Sequence, residues 1–164
     1  MKTSLLSTFN VDKDNRQITV EREFAAPVKT VWNAWTTPEI LDQWWAPKPW
    51  KAETKSMDFR VGGRWIYAMV GPDGERHWAL AEYKSIAPEK SFSLLDAFSD
   101  EEGNIKNDFP RMNWTNTFNP KNDSTVVTCV LKFDKLEDLE KIIEMGFKEG
   151  FQAAHENLDE LLSK

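Results

Sequence analysis

Between Gln17 and Phe24 the segment QITVEREF alternates: Ile18, Val20, Arg22 and Phe24 fall on one side, Thr19, Glu21 and Glu23 on the other. That period of two belongs to a half-buried strand. After the turn AAP the period changes. In VKTVWNAWT (28–36), Val28, Val31, Trp32 and Trp35 share one helical face. PEILDQWW then opens on Pro38, whose fixed φ suits the first turn of a second short helix, and the APKPW behind it ends helical structure. From Lys51 to Phe133 strand and hairpin signals return. Gly62 and Gly63 mark a turn or bulge into RWIYAMV, and GPDGE (71–75) has hairpin-turn composition. RHWALAEYKSI, SFSLLDAF, RMNWTNTF and STVVTCVLKF follow as strands, with the polar run 99–108 as a loop.

The helical period resumes at Asp134. Asp134 and Glu137 form an Asp-x-x-Glu start, and periodicity runs to about Leu162 as one long helix. Leu139, Ile143, Gly146, Phe147, Gly150, Ala154 and Leu158 lie in its apolar stripe. A glycine inside a helix costs about 1 kcal/mol relative to alanine. Gly146 and Gly150, four apart and both inward, therefore require a reason: either a neighbour's backbone comes close, or empty volume lies between the helix and a curved sheet. One strand, two short helices, six strands and a long helix favour the second, an α+β arrangement in which a curved antiparallel sheet grips the helix. Residues 1–16 read as an N-terminal extension and 17–164 as a single domain.

Composition narrows the function classes. With 164 residues, 40% hydrophobic and 29% charged, the chain is globular and buries about two-thirds of its unfolded surface. A net charge of −6 without a basic block argues against nucleic acid and anionic membranes as partners. The single Cys129 excludes an internal disulfide and reads as a small buried hydrophobe. The apolar N-terminal run is too short for a signal-peptide core, so the expectation is a soluble cytoplasmic protein. Eight tryptophans beside ten phenylalanines exceed what a small core readily accommodates, which points to some facing a cavity.

Three stretches, VEREFAAPVKTVWNAWTTPEILDQWW, MDFRVGGRWIYAM with GPDGE, and MGFKEGFQAAHENLDELL, resemble a known family. They look like the bacterial homologues of the activator of the heat-shock protein ninety ATPase, within the START-like or SRPBCC superfamily. The resemblance runs from about Ile18 to Leu162. It is carried by Arg22, Ala26-Pro27, Val31-Trp32, Trp44-Trp45, Gly62-Gly63, the Pro72-Asp73-Gly74 turn and Gly150-Phe151. It implies a helix-grip fold, with a seven-stranded antiparallel sheet around the C-terminal helix and a deep cavity between them. Such proteins bind lipids, sterols, polyketides or other apolar small molecules, and a minority catalyse reactions on them. The chaperone-activating members carry a further domain for which this chain has no room, so a chaperone partner rests on the name alone. Two positions depart from the pattern: Phe151, where tryptophan is usual, and His155, near which leucine is usual.

Candidate residues follow from both readings. Arg22, on the apolar side of its strand, needs acceptors: a carboxylate in an internal ion pair, or the carboxylate or carbonyl of a ligand. Trp65, Tyr67 and Met69 share an orientation with His77, Ala79, Ala81 and Tyr83 of the next strand, and that set is expected inward as a stacking surface for a flat ligand. His77 is either a polar contact at the cavity mouth or a solvated turn residue. Trp44, Trp45, Trp114, Phe147, Gly150, Phe151 and His155 complete the cavity candidates, and Asn157 either bonds within the core or reaches the ligand. No phosphate loop, zinc-ligand pair or nucleophile elbow is present, so no catalytic residue, metal or cofactor is expected. Binding of a mostly apolar small molecule is the leading function. A cyclase- or hydrolase-type enzyme requires two titratable groups with perturbed pKa inside the cavity. A protein-interaction module, co-chaperone or homodimer, requires an exposed aromatic patch around Trp44, Trp45 and Trp50.

Overall fold

The sheet holds one strand more than the sequence pattern indicates. In the computed structural model, described for residues 5–164, its strands are β1 (Ser7–Asp12), β2 (Gln17–Phe24), β3 (Lys51–Met57), β4 (Arg64–Val70), β5 (Arg76–Ala87), β6 (Ser91–Ser99), β7 (Asn113–Lys121) and β8 (Ser124–Lys132). They form an open antiparallel sheet in the order β1-β2-β8-β7-β6-β5-β4-β3. β1 lies inside the stretch expected to be an extension. Its sequence, STFNVD, is largely exposed and has little periodicity of its own; it becomes a strand by pairing with β2, from Ser7 opposite Arg22 to Asp12 opposite Gln17.

Two short helices, α1 (Val28–Thr36) and α2 (Pro38–Trp44), follow β2. The helix expected from Asp134 to Leu162 is in fact two, α3 (Leu136–Glu144) and α4 (Phe147–Leu162). Gly146 sits between them with φ 88° and ψ 23°, a left-handed conformation that glycine adopts without steric cost. Its place is therefore explained by the backbone break, and not by a need for room. Periodicity is blind to the break because both helices turn apolar sides to one core, Leu139 and Ile142 from α3, Ala154 and Leu158 from α4.

That core lies between α1, α4 and the concave face of β2, β8 and β7. Trp32 of α1 meets Phe59, Phe92 and Phe118 edge-on at ring distances of 6.0, 5.7 and 5.1 Å. Trp44 is fully buried and donates its indole N–H to Ala34 O at 2.9 Å. Trp45 and Trp50 are half-buried, so the exposed aromatic patch that an interaction module requires at this junction is not formed. Among the described residues no helix is long and apolar enough to cross a membrane.

Candidate functional site

Alanines on the concave face open a space that the neighbouring aromatics enclose. Cross-strand register sets Trp65 opposite Ala81 and Ala81 opposite Asp96; likewise Tyr67 faces Ala79, and Ala79 faces Phe98. Bulky β4 residues thus stand beside short ones on β5. Tyr83, Leu94, Trp114 and Asn116 continue the wall, and Trp35, Trp45, Pro47, Phe147, Gly150 and Phe151 cover it from the helical side. The cavity, open at one rim, has a volume of about 240 Å³. A Cβ built on Gly150 would meet only Pro47 Cγ, at 3.8 Å, an ordinary contact. No neighbouring backbone presses on α4 there, and of the two explanations for Gly150 the structure selects empty volume.

Nine of the twelve expected residues border this cavity: Trp45, Trp65, Tyr67, Met69, His77, Trp114, Phe147, Gly150 and Phe151. Trp65 and Tyr67 stack at 4.1 Å with 21° between their planes, and Trp45 Nε1 donates to the Tyr67 hydroxyl at 3.1 Å. His77 is exposed at the rim, its ring 5.5 Å from that of Trp50.

Arg22, Trp44 and His155 lie elsewhere. The Arg22 guanidinium pairs with Asp159 of α4 at 2.5 Å and donates to Ser7 Oγ at 3.3 Å, the internal ion pair among its two readings. Trp44 is sealed behind α2. His155 is not at the edge of the apolar stripe but among the most buried groups, with ring distances of 4.0 Å to Phe151, 5.5 Å to Phe24 and 5.8 Å to Trp35. Burial, and secondarily the Arg22 charge, push its pKa down to about 3, so it is neutral, and its Nε2 has no hydrogen-bond partner. Asn157 bonds within the core, its Nδ2 donating to Ala46 O at 2.9 Å.

Sequence reasoning passed over the polar part of the wall. Asp96 Oδ1 accepts the Met112 amide at 2.6 Å and Oδ2 the Trp114 indole at 2.8 Å. Burial nevertheless raises its pKa to about 6, against the pull of those hydrogen bonds and of Arg111. The residue is half-buried and borders the cavity. Burial likewise pushes the Tyr67 and Tyr83 hydroxyls well above the ordinary tyrosine range. The cue was present: alternation in SFSLLDAF groups Asp96 with Phe92, Leu94 and Phe98, and in RMNWTNTF groups Asn116 with Met112, Trp114 and Phe118. A polar residue inside an apolar set marks a buried polar site. The cavity therefore offers flat aromatic surface, one carboxylate, two phenols, one amide and, at its exposed rim, the His77 imidazole, and no lysine or arginine.

Comparison with known proteins agrees with this architecture. The sequence model of the family described as Activator of Hsp90 ATPase homolog 1-like protein matches residues 25–163. A crystal structure of a Mycobacterium smegmatis protein is 34% identical, covers 97% of each chain and superimposes with a TM-score of 0.88. A solution structure from Arthrobacter aurescens is 31% identical, covers 95% of this chain and 91% of its own, and gives a TM-score of 0.89. No curated protein matches the chain significantly.

Proposed function

This chain belongs to the Activator of Hsp90 ATPase homolog 1-like family, and within it we propose a binding protein for a mostly apolar, aromatic small molecule held in the cavity beneath α4. The observation that carries the reading is the 240 Å³ of space left between alanines, Gly150 and a ring of tryptophans, where larger side chains would have built a filled core. Stacking against Trp65, Tyr67 and Phe151 suits a flat ligand. Native mass spectrometry of freshly purified protein tests it, together with thermal-shift screening of aromatic ligands on the wild type and on Gly150→Leu. The expected result is an adduct or a stabilising ligand in the wild type that the variant excludes. A wild type that carries nothing and responds to nothing overturns it.

One observation favours a second reading, acid–base catalysis. Asp96, titrating at about 6 in an apolar enclosure beside the Tyr67 phenol, is suited to exchange a proton with a bound molecule near neutral pH. Mass analysis of the ligand after incubation decides it: a ligand recovered unchanged overturns catalysis and leaves binding intact.

A further inference from the structure

The cavity wall keeps hydrogen-bonding capacity that the protein does not use. Asn116 is 2% exposed, and its Oδ1 has no partner. The hydroxyl of Tyr83, a residue also 2% exposed, has no hydrogen-bond partner among the described residues, although its backbone pairs with Gly62 and Gly63. Tyr67 accepts the Trp45 indole N–H, while its own proton finds no acceptor among them. The Trp35 indole N–H, in the same wall, is likewise buried without a partner, and a ligand hydroxyl can accept it. Native interiors leave few polar groups in this state, and four bordering one cavity point to what enters it.

Their placement sets the geometry of an occupant. Asn116 is registered with Phe92, Tyr83 with Leu94, and Asp96, beside Tyr67, lies at the far end of the same β6 row. Four residues of strand separate the ends, about 13 Å between Cα atoms before the side chains lean inward. Asn116 Oδ1 requires a donor. At the other end the Tyr67 hydroxyl offers a proton and the Asp96 carboxylate accepts one. A ligand hydroxyl meets both demands at once; an ether or a carbonyl meets only one. Charge excludes another class. Asp96 is the one carboxylate in the wall and no lysine or arginine lies there, so a carboxylate ligand would be desolvated without a counter-ion.

We infer that the cavity selects a neutral, flat molecule of about two rings, bearing a hydroxyl at each end, and rejects carboxylates of the same size. This specificity rests on the binding role proposed above. It is tested by equilibrium dialysis of the full chain against a naphthalenediol with hydroxyls on opposite rings, naphthalene itself and a naphthalene carboxylate. The expected order is diol tightest, by about tenfold over naphthalene, with the carboxylate weakest. Asn116→Leu, close in volume, and separately Tyr67→Phe should each reduce that diol-to-naphthalene ratio toward unity. Naphthalene binding as tightly as the diol, or the carboxylate binding best, overturns the specificity and leaves the binding role standing. Variants that keep the full ratio overturn the assignment of the two hydroxyl sites. Failure of all three compounds to bind overturns the binding role itself, and the specificity with it.

Discussion

The two halves of α4 meet one sheet in opposite ways. Toward its C-terminus Ala154, His155 and Leu158 are 1% exposed or less, wedged against Phe24, Trp35 and Trp44, and Asp159 and Asn157 tie the helix to Arg22 and Ala46. Toward its N-terminus Phe147, Gly150 and Phe151 stand over empty volume. The apolar stripe is continuous through both. What differs is the partner surface, large aromatics beneath one half and Ala79 and Ala81 beneath the other. A helix thus carries no signature of the cavity it roofs; the size of residues on strands and helices far away in sequence decides.

The comparison breaks most sharply at His155. In the filled half it is a polar ring whose Nε2 is buried without a partner, so His155→Leu should raise stability by about 2 kcal/mol at neutral pH. The sign grows with acid. The unfolded histidine takes up a proton below its ordinary value of 6.5, whereas the folded one resists until about 3, so the wild type loses stability as pH falls through that window. At about pH 5 the advantage of the variant should widen by a further 2 kcal/mol or so. Urea unfolding at both pH values measures it; a destabilised variant would mean that the ring contributes packing that leucine cannot replace.

The open half titrates the other way. Asp96 has a folded pKa of about 6 against an ordinary value of 3.8, so the folded state binds its proton first and acidification from 6 toward 3.8 adds stability. Facing it are Tyr67 from β4, whose hydroxyl is held well above this range, and the Arg111 guanidinium ahead of β7. In the wild type the two halves should nearly cancel between about pH 7 and 4.5. With His155→Leu the cancellation is lifted. Measured against the double variant His155→Leu/Asp96→Asn, in which the lowered carboxylates of Asp12, Glu23, Glu82, Asp100 and Glu160 titrate alike, stability should gain about 2 kcal/mol over the same interval. No gain relative to the double variant would place the Asp96 pKa near its ordinary value and open its environment to water.

The smallest effects come from the glycines. Gly150→Ala should raise stability by about 1 kcal/mol, since it gains helix propensity and meets only Pro47. Gly146→Ala should lower it by a similar amount, because φ 88° penalises any Cβ although nothing lies within 4 Å. Paired melting curves expose the contrast. Shifts of the same sign would show that position along the chain, and not backbone conformation, governs both.

Much of this was legible in the sequence. Period-two alternation found β2 and the strands from β3 onward, and the shared orientation of Trp65, Tyr67 and Met69 with Ala79, Ala81 and Tyr83 identified the concave face before any coordinates. What escaped was decided by distant partners. β1 is a strand because β2 offers it an edge. Gly146 breaks the helix in a way that periodicity does not register. His155 is buried because Phe24, Trp35 and Trp44 converge on it from three separate elements, and no single window of sequence contains them. Asp96 and Asn116 were visible as interruptions of apolar alternation, yet their meaning appeared only once both faced one enclosure.

β1 has a consequence beyond the fold of one molecule. β2 is rich in β-branched residues and strongly alternating, and along its outer side it would present unpaired amides and carbonyls to any passing chain. β1 occupies that side, and even ahead of its first residue the Leu6 carbonyl still takes the Glu23 amide at 2.8 Å. In exchange the sheet ends on a strand that carries Thr8, Asn10 and Asp12, a poor template for further growth. A chain deprived of this strand would keep its cavity and most of its core, and would fail first in company, by adding copies of itself edge to edge.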